Sequence, residues 1–182
     1  MLRVCVAVLA SLLAFPAACQ GASPYVGQTS RPIKALSDQE TADYLAGRGM
    51  GFAKAAELNG YPGPAHVLEL AEPLALSPAQ RQDTQAIFER MQSRARAVGA
   101  RVVEAERGLD RSFATRAISS ALLHQDVESI ARAQGELREI HLAAHLEQAK
   151  VLTAEQTRLY WQLRGYGAAA TDHDHGHGHV VQ

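Results

Sequence analysis

The chain has 182 residues and carries 18 lysines and arginines against 19 aspartates and glutamates, a formal net charge of −1 at pH 7. That balance, with no basic stripe, gives no footing for nucleic-acid binding. Aromatic residues make up 5% of the chain, and an alanine-rich sequence without alternating β-branched runs points to helices throughout.

Met1-Leu2-Arg3 precedes an apolar run from Val4 to Phe15, and Pro16-Ala17-Ala18-Cys19 follows it. One positive charge, a short apolar run and small residues form the layout of an export signal. The run is shorter than the roughly 20 residues a membrane-spanning helix needs, so residues 1–22 are read as a signal peptide. Two modes of cleavage stay open. Ala17-Ala18-Cys19-Gln20 has the form of a lipoprotein box, in which Cys19 becomes the lipid-bearing first residue, although Pro16 stands where such boxes usually carry leucine. Cleavage after Cys19 or near Ala22 is the alternative. Arg3 is the only charged residue before Arg31, so loss of the leader barely changes the charge. Cys5 leaves with the leader and at most one cysteine remains, so no internal disulfide forms. The exported chain must hold itself together by packing or self-association.

Residues 23–36 are rich in Gly, Ser and Pro and read as a flexible linker. Ser37-Asp38-Gln39-Glu40 is a capping box that opens a helix running to about Asn59. Gly47, Gly49 and Gly51 lie within that stretch. They follow no strand, which rules out a nucleotide-binding loop and leaves close approach of another helix, or a kink. Asn59 to Pro64 is a turn by composition, and a short helix is expected from Ala65 to about Leu74.

Leu76-Ser77-Pro78-Ala79-Gln80 starts the first long helix. Ser77 is a good N-cap, Pro78 suits the first helical position and Gln80 completes the box. This helix is predicted to reach Thr115. Phe88, Met91, Ala95, Val98, Val102, Ala105 and Leu109 alternate in steps of three and four, the pattern of a coiled-coil seam, with Ile87 and Phe113 flanking it. Arg90, Arg94, Arg101, Glu104 and Arg111 lie away from the seam. Residues 117–124 reverse the chain, with His124 a solvated residue of the turn. A second long helix from Gln125-Asp126 carries the matching stripe Ile130, Ala133, Leu137, Ile140, Ala144 and Val151. The two pair as an antiparallel hairpin. Leu142 and Leu146 point away from that stripe, so the helix is apolar on a second side. They are candidate contacts to N-terminal helices, to a partner subunit or to a client protein. Leu152-Thr153-Ala154-Glu155-Gln156 then repeats the capping pattern and opens a last helix to about Arg164. Residues 37–165 make one helical domain, and residues 166–182 a histidine-rich tail.

Two Leu-(Ser/Thr)-x-x-Gln boxes flanking a helical hairpin, Leu76–Gln80 and Leu152–Gln156, resemble the LTxxQ-containing Spy/CpxP superfamily of small bacterial periplasmic proteins. The resemblance covers about His66 to Arg164, with Ser77 in place of threonine in the first box. It implies an all-α, cradle-like antiparallel homodimer in the periplasm, soluble or lipid-anchored. It also implies one of several functions: heavy-metal sensing or zinc resistance, ATP-independent chaperoning of unfolded clients, or accessory roles in envelope stress with a membrane signalling partner.

The histidines bear on that choice. His141 and His145 are spaced i, i+4, about 6 Å apart at Cβ, which suits chelation of one ion. The metal-sensing branch of the superfamily uses such a pair on this helix and takes further ligands from its N-terminal helix. The first helix here has no histidine, and His66 with Glu69 is the substitute. In the tail, His173, His175, His177 and His179 alternate with Asp and Gly, a composition that captures zinc, copper, nickel or cobalt ions without a folded site. No catalytic constellation emerges. Leu142 occupies the place after His141 where a zinc-protease motif requires glutamate, so an enzyme is not expected. The sequence thus favours a periplasmic metal-binding protein in heavy-metal sensing or resistance, with a chaperone or envelope-stress protein as the alternative.

Overall fold

The computed structural model describes residues 22–167. The leader with Cys19 and the histidine-rich tail with His173, His175, His177 and His179 lie outside the described residues. Residues 22–30 form turns within a short unit of their own, and residues from Arg31 onward form the main unit. That unit is all-α: six helices, with no strand among the described residues. They are α1 Asp38–Ala46, α2 Lys54–Glu57, α3 Pro64–Glu69, α4 Pro78–Ala114, α5 Ser120–Gln148 and α6 Ala154–Leu163. None of them is long and apolar enough to cross a membrane.

The long hairpin forms as its stripes require. The 37 residues of α4 span about 55 Å. Ala95, Val98 and Val102 of α4 and Ala133, Leu137 and Ile140 of α5 are buried in one cluster, while Arg90, Arg94, Arg101, Glu104 and Arg111 stay exposed. The turn is tighter than expected. Ser119 caps α5 by accepting from Leu122 N at 3.2 Å, so the helix starts at Ser120. His124 therefore sits in the first turns of α5, exposed, and not in the reversal.

Two N-terminal expectations are corrected. The linker ends at Ser30: Ile33 and Leu36 are buried with Tyr44, Val98 and Val103 in the main core, and Lys34 N donates to Asp110 Oδ1 at 3.1 Å. Two apolar side chains in an otherwise polar stretch are enough to anchor it. The helix expected over residues 37–59 is two helices. Gly47, in left-handed conformation at φ 67°, ends α1, and Met50 and Gly51 also take positive φ before α2 begins. A Cβ on Gly47 would lie 3.0 Å from Arg96 N and Gln92 O, so this glycine both terminates α1 and admits α4. Farther on, the short helix ends at Glu69 and continues to Ala75 as turns.

The two Leu-(Ser/Thr)-x-x-Gln boxes meet. Both are complete capping boxes, and Leu76 and Leu152 are buried in a second core with Val67, Leu74 and Tyr160. The two glutamine amides also pair across the gap. Gln80 Nε2 donates to Gln156 Oε1 at 2.8 Å and to Val151 O at 2.9 Å, while Gln156 Nε2 donates to Leu74 O and Gln80 Oε1, both at 3.1 Å. One residue type thus closes two helix starts and joins them.

Among the glycines of the described residues, the tightest site for an added Cβ is Gly99 of α4. A Cβ there would lie 2.1 Å from the Tyr44 carbonyl oxygen of α1. Glycine inside a helix ordinarily costs about 1 kcal/mol against alanine; here it is what lets α1 lie against α4. G99A is therefore expected to destabilise the fold by about 1–3 kcal/mol. G108A and G135A, whose added methyl groups meet nothing within 4 Å, should stabilise by about 0.5–1 kcal/mol. Urea denaturation followed by circular dichroism checks the contrast in sign.

Candidate functional site

Glu57, at the end of α2, is a carboxylate buried inside the domain. Tyr160 of α6 donates to its Oε1 at 2.6 Å, and Tyr166, just beyond α6, donates to the same atom at 3.0 Å. Arg164 Nε lies 3.5 Å from Oε1, and His66 Nδ1 of α3 lies 3.7 Å from it. Burial pushes the Glu57 pKa up, but hydrogen bonds from His66, Tyr160 and Tyr166 outweigh it and hold the carboxyl down at about 2. Tyr160 shifts the other way: burial and its hydrogen bond to Glu57 push the phenol far above its ordinary range. Tyr160 therefore stays a donor and Glu57 stays a carboxylate.

His141 and His145 of α5 stand beside this group. Both are buried, deeper than their positions on the edge of the seam suggest, because the 47–64 segment covers that flank. Phe52 stacks on His141, ring centroids 6.0 Å apart and planes 10° apart. His145 Nδ1 is 2.8 Å from the Tyr61 carbonyl oxygen. A carbonyl only accepts, so Nδ1 carries a proton, and in the neutral ring the lone pair is on Nε2. That edge of the ring faces Gly63, where a Cβ would stand 2.9 Å from His145 Nε2. His141 Nε2 and Glu57 Oε2 are buried without a hydrogen-bond partner. Burial, and then the neighbouring His145, push the His141 pKa down, which keeps it neutral.

Glu57, His66, Glu69, His141, His145 and Tyr166 thus line one open cleft of about 630 Å³, with Gly63 at its wall and residues 47–51 at its rim. Of the expected donors, His141 and His145 are both buried and line this cleft. His66 is half-buried, but Arg164 Nη2 lies 3.5 Å from His66 Nε2, so the arginine faces its lone pair. Glu69 is exposed at the edge of the cleft, and the carboxylate beside the histidines is Glu57 instead. Sequence reasoning missed Glu57 because a glutamate in the alanine-rich stretch before Asn59 looks like a solvated helix residue. Its partners, Tyr160 and Tyr166, are 103 and 109 residues away.

Chemically, the cleft offers imidazole nitrogens and a carboxylate, donor types suited to zinc, nickel, cobalt or cupric ions. The fit is partial. Among the described residues, no group of three or more His, Cys, Asp or Glu side chains is placed to hold one ion. On the outer side of α5, Leu142 is half-buried and Leu146 is exposed.

Glu57 predicts a pH dependence. Its carboxyl titrates lower in the folded chain, at about 2, than its ordinary value of 4.5. The stability it contributes is therefore complete above pH 4.5 and is lost as pH falls from there toward 2. E57Q, which keeps the shape and removes the charge, should cost about 2 kcal/mol at neutral pH. Its urea midpoint should fall less steeply than the parent's across that acid range, and parallel curves would show that the carboxylate is not held in this way.

Comparison with known proteins finds no matching family model, no matching curated protein and no matching solved structure.

Proposed function

We propose that this chain is an exported protein that binds a divalent transition-metal ion at the His141–His145 flank of its hairpin, in the service of heavy-metal sensing or resistance. One observation carries the proposal: two histidines at i, i+4 and a carboxylate share one cleft, and His141 Nε2 and Glu57 Oε2 are buried there without partners. A buried polar atom without a partner costs about 1–3 kcal/mol, and a bound cation offsets that cost. The hydrogen bond from His145 Nδ1 to the Tyr61 carbonyl is of the kind that orients a metal-binding imidazole and leaves Nε2 as the ligand. Export rests on the N-terminal signal pattern, and a periplasmic location on the resemblance of the two glutamine boxes.

Leu146, 53% exposed, supports a second reading, in which the outer face of α5 holds unfolded clients as a chaperone would. Under that reading the parent chain suppresses client aggregation and L146D loses the suppression; under the first, the parent shows none and L146D binds the metal ion as the parent does.

Calorimetric titration of the chain with Zn²⁺, Ni²⁺, Co²⁺ and Cu²⁺ tests the metal proposal. Binding tighter than millimolar is expected for at least one of them. H141A/H145A should weaken the tightest event by about 100-fold or more, the loss of two ligands at a little over 1 kcal/mol each. Absence of binding, or binding indifferent to both substitutions, rejects the cleft as the site.

A further inference from the structure

Asn59 is the only asparagine in the chain, and a glycine follows it. The pair lies in the segment that covers the cleft, between the end of α2 and Tyr61, whose carbonyl oxygen is 2.8 Å from His145 Nδ1. Asn59 is exposed, and its Nδ2 donates to Ala55 O at 2.7 Å. Gly60 stands at φ 84°, and its N–H reaches the Glu57 carbonyl oxygen at 3.4 Å, a long and weak bond for a backbone amide. A weakly held amide beside an asparagine side chain is a nucleophile one five-membered ring away from its electrophile, and glycine puts no Cβ in the path. We propose that Asn59 is a self-modification site. It cyclises onto Gly60 with loss of ammonia, and the reopened chain carries aspartate or isoaspartate in the wall that positions His145.

The step balances with water as the only co-reactant. Gly60 N forms a bond to Asn59 Cγ, the Cγ–Nδ2 bond breaks, and the proton of Gly60 N–H leaves with Nδ2 as ammonia. The product is a cyclic imide, which water opens in one of two ways. Attack at Cγ breaks the new bond and leaves aspartate. Attack at the Asn59 backbone carbonyl breaks the original peptide bond and leaves isoaspartate, whose chain runs through Cβ and Cγ. Nothing is oxidised or reduced. Either product replaces an amide by a carboxylate, which cannot donate to Ala55 O. Lys54 and Arg138 line the same surface hollow as Asn59 and are the cations that the new charge meets. Isoaspartate does more, because it adds one carbon to the backbone two residues before Tyr61. Tyr61 N donates to Ala56 O at 3.1 Å, so the turn that aims the Tyr61 carbonyl closes across the altered link. Lengthening that link moves the carbonyl off His145 Nδ1. The modification stands apart from the metal-binding reading, and only its effect on ion affinity rests on it.

The experiment ages the whole chain, free of metal, in warm and mildly alkaline buffer. Peptide mapping by mass spectrometry reads the conversion of Asn59, and an isoaspartate-specific methyltransferase reads the isomer. The folded chain is expected to convert at a rate within about 10-fold of the same chain unfolded in urea, a barrier raised by less than about 1.4 kcal/mol. The rate should rise with hydroxide, and N59Q, whose side chain must close a larger ring, should stay intact. Slower conversion of the folded chain overturns the proposal, because the fold then withholds the amide. The ring-nitrogen NMR signals of His145 read the consequence for the cleft. The isoaspartate form should lose the protonated-Nδ1 pattern that the fresh chain and N59Q keep. N59D, which adds the charge without lengthening the backbone, should keep it as well. An unchanged His145 signal in the isoaspartate form overturns the link to the cleft. Neither readout uses an ion, so a failure of metal binding is seen separately.

Discussion

The burial of Glu57 organises the half of the domain that is not the hairpin. Removing a carboxylate from water costs several kcal/mol, and the fold tolerates it only because donors arrive from several directions. Tyr160 and Arg164 come from α6 and its C-cap, Tyr166 from just beyond α6, and His66 from α3. Each of these segments is short. None has a broad apolar face of its own, and α2 has only four residues. A shared ion-pair and hydrogen-bond centre adds to the second apolar core of Val67, Leu74, Leu76, Leu152 and Tyr160 in holding them. The same centre keeps a negative charge next to His141 and His145.

The scaffold beside it works differently. α4 and α5 meet through small and branched apolar side chains in a continuous seam, and α1 is laid onto α4 through the missing side chain of Gly99. The salt links across the hairpin, Arg90 to Glu147 and Arg101 to Glu136, lie at the surface and add little. Rigidity in α5 matters for the site because His141 and His145 inherit their spacing from it. The covering segment, residues 47–64, contains the positive-φ residues Gly47, Met50, Gly51 and Gly60. It is the side from which the cleft is shaped.

How much of this is written locally differs by element. Ser37, Ser77 and Thr153 announce their helices because a cap and its box lie within four residues, and all three boxes form. The seam is legible because its period is set by the helix itself. The i, i+4 histidine pair is legible for the same reason. What a side chain meets across the fold is not. Glu57 looks like one more surface glutamate until Tyr160 is brought to it, and Glu69, at helical spacing from His66, looks like the better ligand until its exposure is seen. Gly99 reads as a mild defect in a helix because the reason for it lies on α1. Ile33 and Leu36 are masked by the polar residues around them.

The paired boxes carry a consequence for which substitutions the fold can accept. In a capping box, glutamate and glutamine are interchangeable acceptors, and α1 uses Glu40. At Gln80 and Gln156 the exchange is unavailable, because each amide accepts from its own N-cap and its nitrogen donates across the gap. A carboxylate would keep the cap, lose the donor, and set a negative charge against the carbonyls of Val151 or Leu74. The glutamine of these boxes is thus a chemical requirement of a joint between two distant stretches of chain, where a helix start alone would accept either residue.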